Sequence, residues 1–288
     1  MINSASHTAR VGAQAALRIR LRERLLGTAS LVLPNRVDPS SPHAWENGSP
    51  ILIYHRIVEN SEICHDPFAV RRDAFESQIV WLSQTCTLLT AGELARRLLT
   101  SELSTDTAAI TFDDGFACTF EHAWYILRSY GIPATIFIDT GRLEGSPSSL
   151  THKQIRMMAD ENIEIGSHSV SHADLRTLSD TKLLDELVRS RESLSEITGR
   201  PIYGFAYPFG RYDERIVQFI RKAGYKYACS CRQHRSNHSH DDPYLLCRVE
   251  ININDTLRRF QHKVTGKYAS VYATWYRINP ATRLWLTG

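Results

Sequence analysis

The chain has 288 residues, a formal net charge of +3 and 42% hydrophobic residues; that is enough for one large core of the size an α/β barrel needs, and a second full domain is not expected. Its basic residues form no long aromatic-interleaved tract, which argues against nucleic acid as a partner, and no stretch reaches the roughly eighteen apolar residues of a transmembrane helix. The six cysteines are scattered, without the paired spacing of a zinc ribbon; reduced thiols in a cytosolic protein are the simpler reading, with secretion left open.

Residues 1–48 read as an N-terminal basic helical segment and linker, and residues 49–288 as the main domain with a C-terminal tail. Ala15 to Leu26, carrying Arg18, Arg20, Arg22 and Arg24, is expected to be a basic helix that caps the domain. The competing reading is peripheral contact with an anionic membrane surface. The apolar stretch that follows is too short and interrupted for a signal peptide, so the expected location is the cytoplasm. Ile51 to Tyr54 is a first buried strand with His55 at its C-terminal end. A helix is expected over Asp73 to Leu82, a strand at Leu88 and Leu89, and a second helix over Ala91 to Leu99 capped by Thr90. Ala108 to Phe112 is an apolar strand that opens into Asp113-Asp114-Gly115.

Phe120 to Tyr130 is helical in pattern and is stopped by Gly131-Ile132-Pro133. Ala134 to Thr140 reads as a strand, and Thr151-x-x-Gln154 as a capping box before Ile155 to Ala159. A strand from Ile163 then runs into His168, and leucines from Leu183 to Leu194 stripe a longer helix that ends near Gly199. Gly204 to Gly210 is strand-like until Pro208 and Gly210 break it. Glu214 to Lys222 is a helix and Tyr225 to Cys229 a strand. His234, His238, His240, Asp241 and Asp242 form a polar loop whose metal binding, if any, is adventitious. Leu245 to Ile251 reads as a strand carrying Arg248 and Glu250, and a helix of about ten residues starts at Asp255. Strand and helix alternate with polar groups at strand C-termini, the pattern of a (β/α) barrel whose working face is the C-terminal one.

Neighbouring strand residues point in opposite directions, so Asp113 and Asp114 can serve one centre only if the backbone turns between them or just after; Gly115 permits that turn. His168 and His172 lie four positions apart, so a helical turn or a tight loop brings both imidazoles to one side. Two neutral imidazoles and one carboxylate suit zinc or a related divalent ion, with positions left for water and substrate. Taken singly, an Asp-Asp-Gly turn, a surface histidine pair and a Pro-Gly turn each have an ordinary structural explanation.

Together, Thr111-Phe112-Asp113-Asp114-Gly115, His168-x-x-x-His172 and Phe205-Ala206-Tyr207-Pro208-Phe209-Gly210 resemble the metal-dependent polysaccharide deacetylases of the NodB-homology type, carbohydrate esterase family 4, in the family's order. Ile51-Leu52-Ile53-Tyr54-His55-Arg56 adds the early Tyr-His of the members that deacetylate poly-N-acetylglucosamine. The resemblance covers roughly residues 50 to 255. It implies a distorted (β/α) barrel with fewer than eight regular strands, and N-deacetylation of an amino sugar in an acetylated glycan. It also implies one divalent metal ion, zinc by default with nickel, cobalt or iron fitting the same ligands.

Carried over residue by residue, the resemblance makes Asp114, His168 and His172 the metal ligands and Asp113 the base. The backbone amide of Phe209 becomes the oxyanion donor, and His55 the general acid that as imidazolium protonates the departing nitrogen. Many members have an arginine two positions before the proline of the third motif, where this chain has Ala206. Arg248 is the candidate replacement that would keep Asp113 ionised; a surface pair with Glu250 or Asp242 is the competing reading. An O-acetyl esterase on the same metal site and a non-catalytic glycan-binding barrel are the rival functions.

Overall fold

The structure is a computed structural model and describes residues 48–104, 106–143, 145–231 and 237–267. The helix expected over Ala15 to Leu26, His234 and the tail beyond Tyr268 lie outside the described residues.

The main sheet is built from short, mostly apolar and mostly buried runs, which suits parallel strands covered on both faces. Its strands are β1 (Ile51–Tyr54), β4 (Thr87–Leu89), β5 (Thr107–Phe112), β6 (Ala134–Ile138), β7 (Ile163–Ser167), β8 (Gly204–Ala206), β9 (Tyr227–Cys229) and β10 (Val249–Glu250). Seven of them follow one another in the order β10-β1-β5-β6-β7-β8-β9, all parallel, while β4 pairs off this path with the first half of β5. Leu246 closes the ring: its N–H donates to Ala228 and its carbonyl accepts from Ser230, so the segment before β10 lies against β9. The result is a distorted parallel barrel with helices around it. A separate parallel pair, β2 (Arg56–Val58) with β3 (Ala69–Arg71), follows β1.

Alternation along the strands sorts two cores. Leu52, Ile110, Ile136 and Ile165 face outward to the helices, in one cluster with Leu183, Leu187 and Leu194 of the helix Asp180–Thr198. Ile51, Ala109, Phe137, Ala206 and Tyr227 point inward and meet Leu94, Ala95 and Leu98 of the helix Ala91–Leu99, which is tied to the starts of β6 and β7 through Thr135 and Glu164 and so packs at the end of the barrel where the strands begin. That helix starts where expected, with Thr90 Oγ1 accepting from Glu93 N. From across the barrel Glu164 of β7 accepts from Gly92 N at 2.8 Å, a carboxylate at a helix N-terminus. Gly166 and Gly204 leave the space that Phe137 and Tyr227 occupy: a Cβ on either would stand 2.5 Å or less from those rings.

The capping box at Thr151 and Gln154 and the helix Glu214–Lys222 are as expected. Three elements differ. The strand expected over Ala134 to Thr140 ends at Ile138, because Asp139 accepts from Gly141 N and turns the chain into a 3-10 turn. Phe120 to Tyr130 is a π-helical turn, Thr119–Trp124, followed by the α-helix Tyr125–Ser129. Leu245 to Ile251 is a strand only at Val249–Glu250, where β1 supplies partners for two residues; Arg248 precedes it and is fully buried.

Candidate active site

The period of two that sorts the core also builds the site. Continuing the inward line of β1 from Ile51 and Ile53 reaches His55; that of β5, from Ala109 and Thr111, reaches Asp113. Tyr54 and Phe112 are register partners, so these two ends are neighbours at the C-terminal rim. The same count reaches Asp139 after Phe137 on β6 and His168 after Gly166 on β7.

Asp114 joins Asp113 because the backbone reverses at Asp114 itself, whose φ is 71°, with Gly115 following at 68°. Sequence reasoning located the turn at the glycine; the strained residue is the aspartate. Ser169, His172 and Phe209 are also left-handed, so four of the seven non-glycine residues with positive φ among those described surround this site. Each costs roughly 1–3 kcal/mol, so the surrounding contacts must hold them there.

Asp114 Oδ1, His172 Nε2 and His168 Nε2 converge: Oδ1 lies 3.3 Å from the His172 nitrogen and 3.6 Å from that of His168. All three donor atoms fall within 4.8 Å of one another. Asp114 Oδ1 is buried and makes no hydrogen bond among the described residues, a costly state for a carboxylate oxygen unless a cation completes it. His168 Nδ1 lies 2.8 Å from the Ala206 carbonyl, to which it must donate, so the Nε2 lone pair faces the site. Burial, and after it the neighbouring His168, push the His172 imidazole down to about 4 against the pull of Asp114. It is therefore neutral near pH 7, the form that ligates a metal. The donor set fits a divalent ion of the zinc type.

Asp113 is 2% exposed. Arg248 donates Nη1 to its Oδ1 at 2.7 Å and Nη2 to its Oδ2 at 2.8 Å, a bidentate pair. Burial alone would push this carboxyl up; the Arg248 guanidinium, then His168, and more weakly His55 override it and hold Asp113 at about 2. The other Arg248 donors are also used, Nε by Ser230 O at 2.9 Å and Nη1 additionally by Thr111 Oγ1 at 3.2 Å. The alternative partner Asp242 instead accepts from Arg221 at 2.9 Å. Arg248, the candidate for the arginine absent at Ala206, therefore reaches Asp113 from the far end of the domain.

His55 tilts against Phe68 with ring centroids 5.2 Å apart, and its Nδ1 is buried without a partner among the described residues. The Phe209 ring packs edge-on against the His172 imidazole with centroids 4.6 Å apart, which brings the Pro208–Gly210 turn beside the Asp114, His168 and His172 group. His262 is buried in the helix Leu257–Val264. Asp139 went unnoticed in the sequence, although counting by twos from Phe137 would have found it. It is 2% exposed and pairs with Arg142 at 2.9 Å. Burial raises its pKa, with Arg142 and His168 opposing and Asp114 adding to the rise.

A family profile described as polysaccharide deacetylase matches residues 100–228. The poly-beta-1,6-N-acetyl-D-glucosamine N-deacetylase of Staphylococcus aureus (strain MSSA476) is 26% identical over 227 residues, covering 69% of this chain and 78% of its own. YxkH of Bacillus subtilis (strain 168) is 28% identical over 205 residues, 70% of this chain and 71% of its own. Among solved structures, Streptococcus pyogenes deacetylase PplD in complex with acetate is similar with a TM-score of 0.70 and 26% identity, over 75% of this chain and 98% of that one.

Proposed function

The chain carries a polysaccharide deacetylase domain of the carbohydrate esterase 4 (NodB) type, and from that premise we propose that it hydrolyses the acetamide of an N-acetylated amino sugar within a polysaccharide or glycan. One observation carries the reading: a buried carboxylate kept ionised by Arg248 stands beside an unpaired carboxylate oxygen and two imidazoles. Glycan binding alone needs neither a base nor a metal site.

Asp114, His168 and His172 would hold the ion, with zinc preferred, and a divalent ion there supplies Lewis-acid activation of water and of the acetyl carbonyl. Asp113 takes the proton of the attacking water. The Arg248 guanidinium beside it favours its ionised form, and the bidentate clamp fixes its oxygens. The Phe209 amide donates to the carbonyl oxygen as negative charge builds there. His55 returns a proton to the nitrogen as the C–N bond breaks, releasing acetate and a free amine.

Paired assays of acetate and of free amine on N-acetylated and O-acetylated glycans test this. Acetate with stoichiometric amine is expected; acetate from O-acetyl substrates alone would convert the assignment to an esterase, and neither product with metal supplied would overturn catalysis. For His55 the expectation is sharper. His55→Ala should lower kcat on an N-acetyl sugar by about 10²–10⁴, keep its metal, and lose far less on an activated aryl ester, whose leaving group needs no proton. Equal losses on both substrates would remove His55 from the role of acid.

A further inference from the structure

We propose that Glu186 is the positioning residue of the metal centre, holding the loop 167–172 in the strained conformation that aims His172 at Asp114. The inference rests on reading Asp114, His168 and His172 as metal ligands. It starts from an energetic problem: Ser169 and His172 both have positive φ, 70° and 53°, without being glycine, so the loop needs external contacts to stay as it is.

Those contacts come from one face of the helix Asp180–Thr198. Glu186 Oε2 accepts from the successive amides of Val170 at 2.8 Å and Ser171 at 2.9 Å, and Oε1 accepts from Ser171 Oγ at 2.6 Å. Two consecutive N–H groups turned to one side after a left-handed residue form an anion-binding nest, and here a side chain of the same protein fills it. Hydrogen bonds to an ionised acceptor are the stronger kind. One turn along, Ser190 Oγ accepts from Ser167 Oγ at 2.8 Å, and Ser167 Oγ in turn accepts from Ser169 N at 3.2 Å. Ser169 Oγ then accepts from His172 N at 3.1 Å. Ser167, Val170 and Ser171 of the His loop are therefore bonded directly, and Ser169 and His172 through them, to a helix whose register is set by the buried Leu183, Leu187 and Leu194. Glu186 is not one of the three donors of the cluster. Its effect passes through the backbone of Val170 and Ser171, one residue from His172.

The test uses metal-stripped full-length protein titrated with zinc against a chromophoric chelator. Glu186→Ala is expected to weaken zinc about 10–100-fold, the usual effect of removing a partner that orients a ligand. Glu186→Gln should fall between Ala and wild type, because an amide oxygen can still accept from the nest without the charge. Asp185→Asn, which removes an exposed carboxylate paired with Arg189 from the same turn, is expected to leave zinc affinity unchanged. Should Glu186→Ala fail to fold, Glu186→Gln decides. Zinc affinity within about threefold of wild type in a folded Glu186 variant overturns the positioning role while leaving the metal site intact. A wild type that takes up no zinc, cobalt or nickel overturns the ligand assignment itself and the positioning role with it.

Discussion

Asp113→Asn is expected to keep its metal ion and to lose turnover by at least about 10²–10⁴, the contribution of a placed general base. The asparagine fills the same space on the inward line of β5 and can still accept from Arg248, but it cannot take a proton. Asp114→Asn and His168→Ala should lose metal as well as activity, because Asp114 Oδ1 and His168 Nε2 point into the cluster. Elemental analysis of protein purified without added metal, alongside acetate release, separates the two classes. Roughly one ion per chain is expected in wild type and in Asp113→Asn, and equal metal loss at 113 and 114 would show that the base and ligand roles had been interchanged or shared.

Arg248→Met is expected to destabilise the protein by about 3–5 kcal/mol, the range for removing one partner of a buried ion pair, and to depress catalysis with it. Asp113 is 2% exposed and Arg248 fully buried, so the carboxylate left behind gains little hydration in place of the two hydrogen bonds it loses. Denaturant unfolding of metal-free protein measures the loss, and Asp113→Asn in the Arg248→Met background should recover part of it, since no buried charge is then stranded. The pH dependence should reverse sign. In the wild type Asp113 sits at about 2 against an ordinary 3.8; its stabilisation is present above the ordinary value and is lost as pH falls through about 4 towards 2. Without Arg248, burial raises Asp113, the folded state retains a proton that the unfolded state has released, and stability should fall as pH rises above about 4. An Arg248→Met protein with wild-type stability and pH slope would mean that the clamp contributes nothing to the charge state of Asp113.

The periodicities and the stop signals of the chain determined much of this protein. The apolar runs that end at His55 and Asp113 place both residues at the C-terminal ends of strands from the sequence alone, but Ile51–Tyr54 and Thr107–Phe112 are buried along their whole length, so only the structure shows which face of each strand turns inward. Thr90, Thr151 with Gln154, and Gly199, left-handed with φ 67°, start and stop helices by contacts within a few residues, which is why they were legible. The three-residue strands β2 and β3 were not, because three residues are too few to display a period.

Which cation Asp113 would find was decided only in three dimensions. Arg248 is 135 residues away, and the sequence offered Asp242 and Glu250 as nearer partners. Closure of the barrel through Leu246 and β10 brings the guanidinium beside β5, while Asp242 is taken by Arg221. The same holds for the left-handed Asp114, Ser169 and His172. Local preference disfavours each of them, and only the surrounding packing and the carboxylate of Glu186 keep the His loop in a shape its own sequence would not choose.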